Sequence, residues 1–136
     1  MSVSAAAGLL LAAAVMAGTD EQKRAHLPNT AGMMDEAIAL AVNRNPYHHC
    51  VQAVGMRVRW VGDPDRPTVD ELAAAIGPQT ACCLYFINSD LEGKQLPLHD
   101  VVAVCHRHGL PVIVDAAAQI PQGERILLWT FVAAGA

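Results

Sequence analysis

Thr80 to Ile87 reads Thr-Ala-Cys-Cys-Leu-Tyr-Phe-Ile, eight residues without a charge, followed by a polar connection from Asn88 to Gln95 that contains Gly93. A strand that is apolar on both faces needs cover above and below, which is the condition of a central strand in a parallel sheet. A second apolar run from Leu110 is rich in β-branched residues and gives an expected strand over Val112 to Asp115, ahead of Ala116-Ala117-Ala118-Gln119. In open α/β sheets ligands gather outside the carboxyl ends of the strands. Asp115 is therefore the carboxylate to watch.

The remaining segments fit around these two strands. Residues 35–42 and Arg57 to Val61 read as further strands, with Asn45-Pro46 breaking the first and a helix expected from Tyr47 to Val54, closed by Gly55. Thr68 caps a helix over Val69 to Ile76, whose first turn carries Asp70 and Glu71, favourable next to the positive helix end. Pro97 opens a helix that runs to about His108 and is ended by Gly109, and a last helix is expected over Glu124 to Ala134. Short apolar strands alternating with helices argue βαβ units. The expected fold is α/β, a three-layer arrangement with a mainly parallel sheet flanked by helices. No linker, repeat or shift of composition divides the 136 residues.

The first helix is expected from Ser2 or Ser4 to about Ala17, with Gly18-Thr19-Asp20 as its stop. It is apolar on nearly every face, which suits a helix packed inside a larger protein. No Lys or Arg precedes the run, as a secretory signal would need. Ala5 to Ala17 is also shorter than the ~20 residues that cross a bilayer. A membrane role is not expected.

The composition is 53% hydrophobic against 16% charged, with a net charge of −4, and the nine Lys and Arg residues are scattered. That leaves no basic footprint for nucleic acid. Cys50, Cys82, Cys83 and Cys105 read as reduced core thiols, with an adjacent pair inside a buried strand, which points to a reducing, cytoplasmic compartment. His48-His49-Cys50 and Cys105, His106 and His108 match no zinc spacing, and His106 and His108 project about 200° apart on a helix. No metal site is expected.

Several polar residues fall where a ligand would bind. Asp115 either caps the turn that follows it or presents its carboxylate to a ligand, and a carboxylate there can keep a pyridine nitrogen protonated, as pyridoxal phosphate chemistry requires. Asn88 ends another strand in the same row, and Gln119 lies four residues after Asp115. Tyr47, His48 or His49 could stack on a planar cofactor. The first turn of the first helix, with Ser4, offers free N–H groups to an anion.

Read in order, Ser4-Ala5-Ala6-Ala7-Gly8-Leu9, Arg44-Asn45-Pro46-Tyr47 with His49, Leu96-Pro97-Leu98 and Val112 to Gln119 resemble the fold type I pyridoxal-phosphate enzymes. The likeness is to the branch related to L-seryl-tRNA(Sec) selenium transferase and D-glucosaminate-6-phosphate ammonia-lyase. It implies that Ser4, Ala5 and Ala6 receive the cofactor phosphate and that Asp115 pairs with the pyridinium nitrogen. It also implies that Gln119 and Asn88 bond near the ring's phenolic oxygen or the substrate, and that His48 or Tyr47 stacks on the ring. The intact relatives act on a small amino substrate, an amino acid or amino sugar, and associate as homo-oligomers.

The family's Schiff-base lysine follows the aspartate on a later strand, whereas the lysines here are Lys23 and Lys94 and neither matches it. Residues 1–136 are accordingly expected to form an incomplete large domain, without the small C-terminal domain, and to be inactive alone. A non-catalytic remnant that folds with a partner is the competing expectation. Uncovered sheet edges and the apolar helix would then promote association.

Overall fold

The computed structural model describes residues 5–87, 89–117 and 126–135. Four strands, β1 (Glu36–Leu40), β2 (Arg57–Val61), β3 (Thr80–Phe86) and β4 (Val112–Asp115), form a wholly parallel sheet in the order β2-β1-β3-β4. The helices are α1 (Ala5–Ala17), α2 (Glu21–His26), α3 (His49–Gln52), α4 (Val69–Ala75), α5 (Leu98–Arg107) and α6 (Ile126–Ala133).

The chain steps outward from β1 to β2, then crosses back over β1 to reach β3 and β4. Right-handed crossovers running in opposite directions put their helices on opposite faces, which gives three layers. Residues of α4 and α5 share one core with Ile38, Leu40, Cys83, Tyr85 and Val112. Residues of α1 and α3 share the other with Ala37, Ala39, Cys82 and Leu84. Alternation along the strands makes this division, except at the adjacent Ala81 and Cys82, where the register of β1 and β3 shifts by one residue. The switch in direction falls between β1 and β3.

Local chemistry moves several boundaries from their expected places. The first strand stops at Leu40 rather than residue 42, because Ala41–Asn43 turns into a single 3-10 turn closed by the Arg44 N–H on the Ala41 carbonyl. The helix expected over Tyr47 to Val54 is a 3-10 turn, Pro46–His48, followed by one α-turn, α3. Asn45 caps it by accepting from the Tyr47 N–H at 2.9 Å, and the His48 and His49 rings engage the carbonyls of Asn45 and Pro46. Those carbonyls are the ones a continuous α-helix would use.

Asp20, expected as part of a stop, starts a new helix instead. Its Oδ1 accepts from the Gln22 and Lys23 N–H groups at 2.9 and 3.1 Å and caps α2. The sequence reading missed α2 because none of its residues is buried, so it carries no apolar period. The Thr68 cap is present as a full capping box with Glu71. The helix α1 is only half covered: Ala12, Met16 and Ala17 are buried while Leu10 is 69% and Leu11 49% exposed. Leu10 and Leu11 thus form the uncovered side of an apolar helix that was expected to pack inside a larger protein. Among the described residues no helix is long and apolar enough to cross a membrane.

Candidate functional site

The register carries Asp115 to a defined face. Leu84 pairs with Ile113 and Phe86 with Asp115 across β3 and β4, and Leu84 and Ile113 pack in the α1 and α3 layer. Alternation then directs the Asp115 side chain to that same layer. A cavity of about 30 Å³ lies there, with Leu84, Phe86, Ile113 and Asp115 on the sheet side. Gly8, Tyr47, His48 and Val51 close it from the helical side.

Asp115 is half-buried, and its Oδ1 accepts from the Ala117 N–H at 3.0 Å. The two expectations for this residue are compatible, since the turn it caps fixes the carboxylate at the strand end. Its backbone carbonyl accepts from the Ile87 N–H at 2.8 Å, which locks the ends of β3 and β4 together. Asn88, the next residue, lies outside the described residues, as do Ser4 and Gln119. Ala5 and Ala6 fall in the first turn of α1, next to Gly8 at the cavity. Tyr47 and His48 both line the cavity with Asp115.

The His48 ring is held on two sides. Its Nδ1 donates to the Asn45 carbonyl, and its edge meets the Trp60 ring at 5.1 Å and 89°. In the neutral ring Nε2 is then the acceptor. Tyr47 is 62% exposed and has room to turn. Sequence reasoning gave no role to Trp60, which lies on β2 in the row Trp60, Ala39, Leu84, Ile113 across the site face. It also missed Asn43. This side chain is buried at the switch point and donates from Nδ2 to Gln95 Oε1 at 2.5 Å, while its Oδ1 has no partner among the described residues. The pair ties the turn after β1 to the connection before α5. No sequence signal marked either residue, because the neighbours of each follow from the strand order.

Other reactive groups near the site are structural. Burial pushes the Cys82 thiol up to about 12 and the Tyr85 phenol up to about 12, so both stay protonated at neutral pH. Tyr85 donates from its hydroxyl to the Leu96 carbonyl at 2.8 Å. Lys23 on α2 and Lys94 after β3 are exposed, and neither lines the cavity.

The donor set suits a flat, protonated heteroaromatic ring: a fixed carboxylate at one end, aromatic rings on one wall and a helix start alongside. At about 30 Å³ the cavity has room for about one water. A ring needs more room than that, and Tyr47 is the one exposed residue of the lining.

The Aminotransferase class-V family model matches residues 34–125, from the start of β1 to beyond β4. The chain belongs to the class-V aminotransferase family. This class-V aminotransferase chain is 31% identical over 123 residues to 5'-C-glycyluridine monooxygenase-decarboxylase of Streptomyces sp. It is 33% identical over 121 residues to D-glucosaminate-6-phosphate ammonia lyase of Salmonella typhimurium. Each match takes in 85% of this chain and 31% and 32% of the relative.

The solved structure of D-glucosaminate-6-phosphate ammonia-lyase superposes with a TM-score of 0.83 at 28% identity, over 99% of this chain and 37% of that one. A Bacillus subtilis protein solved with bound cofactor PMP matches at a TM-score of 0.55 and 25% identity, over 84% of this chain and 22% of that one. The architecture is aminotransferase-like fold type I, and the family cofactor is pyridoxal 5'-phosphate. The chain spans about a third of the length of the relatives it matches. The two named relatives carry out different reactions, so the likeness fixes the fold and cofactor family and leaves the reaction open.

Proposed function

We propose that this class-V aminotransferase chain is the cofactor-facing part of a large domain that binds pyridoxal 5'-phosphate and serves a transferase or lyase reaction on a small amino acid or amino sugar. The observation that carries the reading is the convergence of Asp115, Tyr47 and His48 on one cavity at the carboxyl edge of a parallel sheet. Asp115 accepts the ring N–H, Tyr47 or His48 covers the ring face, and the first turn of α1, with Ser4, Ala5 and Ala6, takes the phosphate. Asn88 and Gln119 serve the ring's phenolic oxygen or the substrate. When bound, pyridoxal phosphate supplies an electron sink for bond cleavage at an amino-bearing carbon. The half-buried Asp115 keeps that sink strong by holding a proton on the ring nitrogen.

Binding is expected to be non-covalent, because neither Lys23 nor Lys94 reaches the cavity, and the 136 residues are not expected to turn over substrate alone. The exposed Leu10 and Leu11 favour a second reading of the same fold, a module that works associated with another copy or partner. Free cysteines, three of the four buried, support a reducing, cytoplasmic setting. The test is a titration of the folded chain with pyridoxal phosphate, followed by borohydride reduction and peptide mapping. Saturable binding without a fixed lysine adduct is expected. A folded chain that shows no saturable binding refutes the cofactor reading.

A further inference from the structure

The two edges of the sheet are guarded differently. β2 carries Arg57 and Arg59, which pair with Asp35 and Glu36 at 2.7 and 3.7 Å and leave charge along that edge. Charged side chains are a usual device against edge-to-edge pairing. The opposite edge, β4, reads Val112-Ile113-Val114 with no charge before Asp115, and among the described residues it pairs with β3 alone.

The backbone of β4 divides residue by residue. The carbonyls of Pro111 and Asp115 accept from the Cys83 and Ile87 N–H groups at 3.0 and 2.8 Å, so residues 111, 113 and 115 turn their peptide groups towards β3. Val112 and Val114 then each turn an N–H and a carbonyl outward. Pro111 belongs to the inward row, and its missing N–H leaves the outward row whole. Beyond the strand, Gly135 lies against Val102 and His106 of α5, where an added Cβ would come within 2.9 and 3.0 Å. The end of α6 is therefore in the α4 and α5 layer. Its sequence holds no charge, and Val132 is 63% exposed.

We infer that β4 is a self-association edge, along which a second copy of this chain pairs antiparallel about a two-fold axis at Ile113 to form one continuous sheet. In that register Val112 of each copy faces Val114 of the other, so every outward N–H meets an outward carbonyl. Asp115 lies opposite Pro111 of the second copy, which sets the two carboxylates roughly 14 Å apart along the strands, beyond the screening length at physiological salt. A slip of two residues towards Asp115 halves that separation. The same axis brings both α6 helices to one face of the joined sheet, where uncharged helix meets uncharged helix. The surface is separate from Leu10 and Leu11, which lie on α1 across the sheet, and it does not depend on the cofactor reading.

The experiment follows the unaltered 136-residue chain from low micromolar to near millimolar concentration, by light scattering and by backbone amide exchange read in NMR spectra. A reversible monomer–dimer equilibrium is expected. In the dimer the Val112 and Val114 amides should exchange roughly ten-fold more slowly or better, while those of Ile113 and Asp115 are protected at every concentration. Val114→Pro removes an outward donor at an edge position that tolerates proline, and should weaken the dimer roughly ten-fold or more. Leu10→Gln combined with Leu11→Gln should leave the dimer intact.

A folded chain that stays monomeric over the whole range overturns the proposal. So does a dimer in which the Val112 and Val114 amides exchange as fast as in the monomer. Loss of the dimer in the doubly substituted α1 variant, with that variant folded by circular dichroism, overturns it by assigning association to the Leu10 and Leu11 surface. Growth past the dimer into open chains contradicts the two-fold closure. Should Val114→Pro fail to fold, the amide pattern of the unaltered chain decides alone.

Discussion

The two faces of the sheet are built from the same four strands and do different work. On the α4 and α5 side the strands present Ile38, Leu40, Val61 and Val112 to Leu72, Val101 and Val104, large branched side chains that fill space and fix it. On the α1 and α3 side they present Ala37, Ala39 and Cys82 to Ala12, Met16 and Met56, small or flexible residues, with the larger Leu84 and Ile113 towards Asp115. Branched residues hold few rotamers and make a defined core, whereas alanine and methionine leave depth and give way. Asp115 points to the second side. Both faces are packed, but the second one holds the cavity beside Asp115 at the carboxyl edge of the sheet.

The sharpest way to break this comparison is to cut into each face. Leu72→Ala, on the fully buried α4 position, should lower stability by about 3 kcal/mol in urea unfolding, in the range for large-to-small core changes. It should leave pyridoxal phosphate affinity nearly unchanged in the fraction that is folded. Ala39→Leu, buried on the opposite face, should destabilise by about 1–3 kcal/mol as overpacking does, and it should also weaken ligand binding by displacing its strand neighbour Leu84, which lines the cavity. If both changes affect stability and binding alike, the division of labour is wrong.

Smaller effects test the frame around the faces. Thr68→Ala removes the capping box of α4 and should cost about 1 kcal/mol, read in the same unfolding experiment. The smallest effect is expected at the amino edge of the sheet. The Arg57 guanidinium, hydrogen-bonded at 2.7 Å, holds the Asp35 carboxyl below its usual 3.8, with help from the Thr30 hydroxyl and against the effect of burial. A folded-state value below the unfolded one gives stability that is present above about pH 4 and is lost as pH falls through the folded value. Arg57→Gln should flatten that acid limb only slightly in thermal melts between pH 2.5 and about 6, because Arg57 is well exposed to solvent.

How far the sequence went depended on which face a segment served. The α4 and α5 layer was legible because its strands are continuous apolar runs and α4 carries an unambiguous Thr68 cap, and β4 was read to its observed ends at Val112 and Asp115. The site face was harder. The α1 helix is apolar all round, so no period told that Leu10 would be exposed and Ala12 buried. The break of Pro46 to Gln52 into two short turns depended on histidine contacts with the chain's own carbonyls, which residue types alone do not signal.

At the site, Asp115, Tyr47 and His48 were marked from strand-end position and family resemblance, and the structure brings these three together at one cavity. Trp60 and Asn43 were given no role, because their meaning depends on the order β2-β1-β3-β4, which sets who stands beside whom. A sequence shows that a strand ends in a polar residue. It does not show which other strand end lies next to it.

The central claim is that Asp115 keeps a pyridine nitrogen protonated in this cavity, and the most direct measurement is the ring-nitrogen chemical shift of 15N-labelled pyridoxal phosphate bound at about pH 8. With Asp115 in place the shift should be that of a protonated pyridinium, and in a folded Asp115→Asn variant it should move to that of neutral pyridine. The same shift in both proteins would contradict the account.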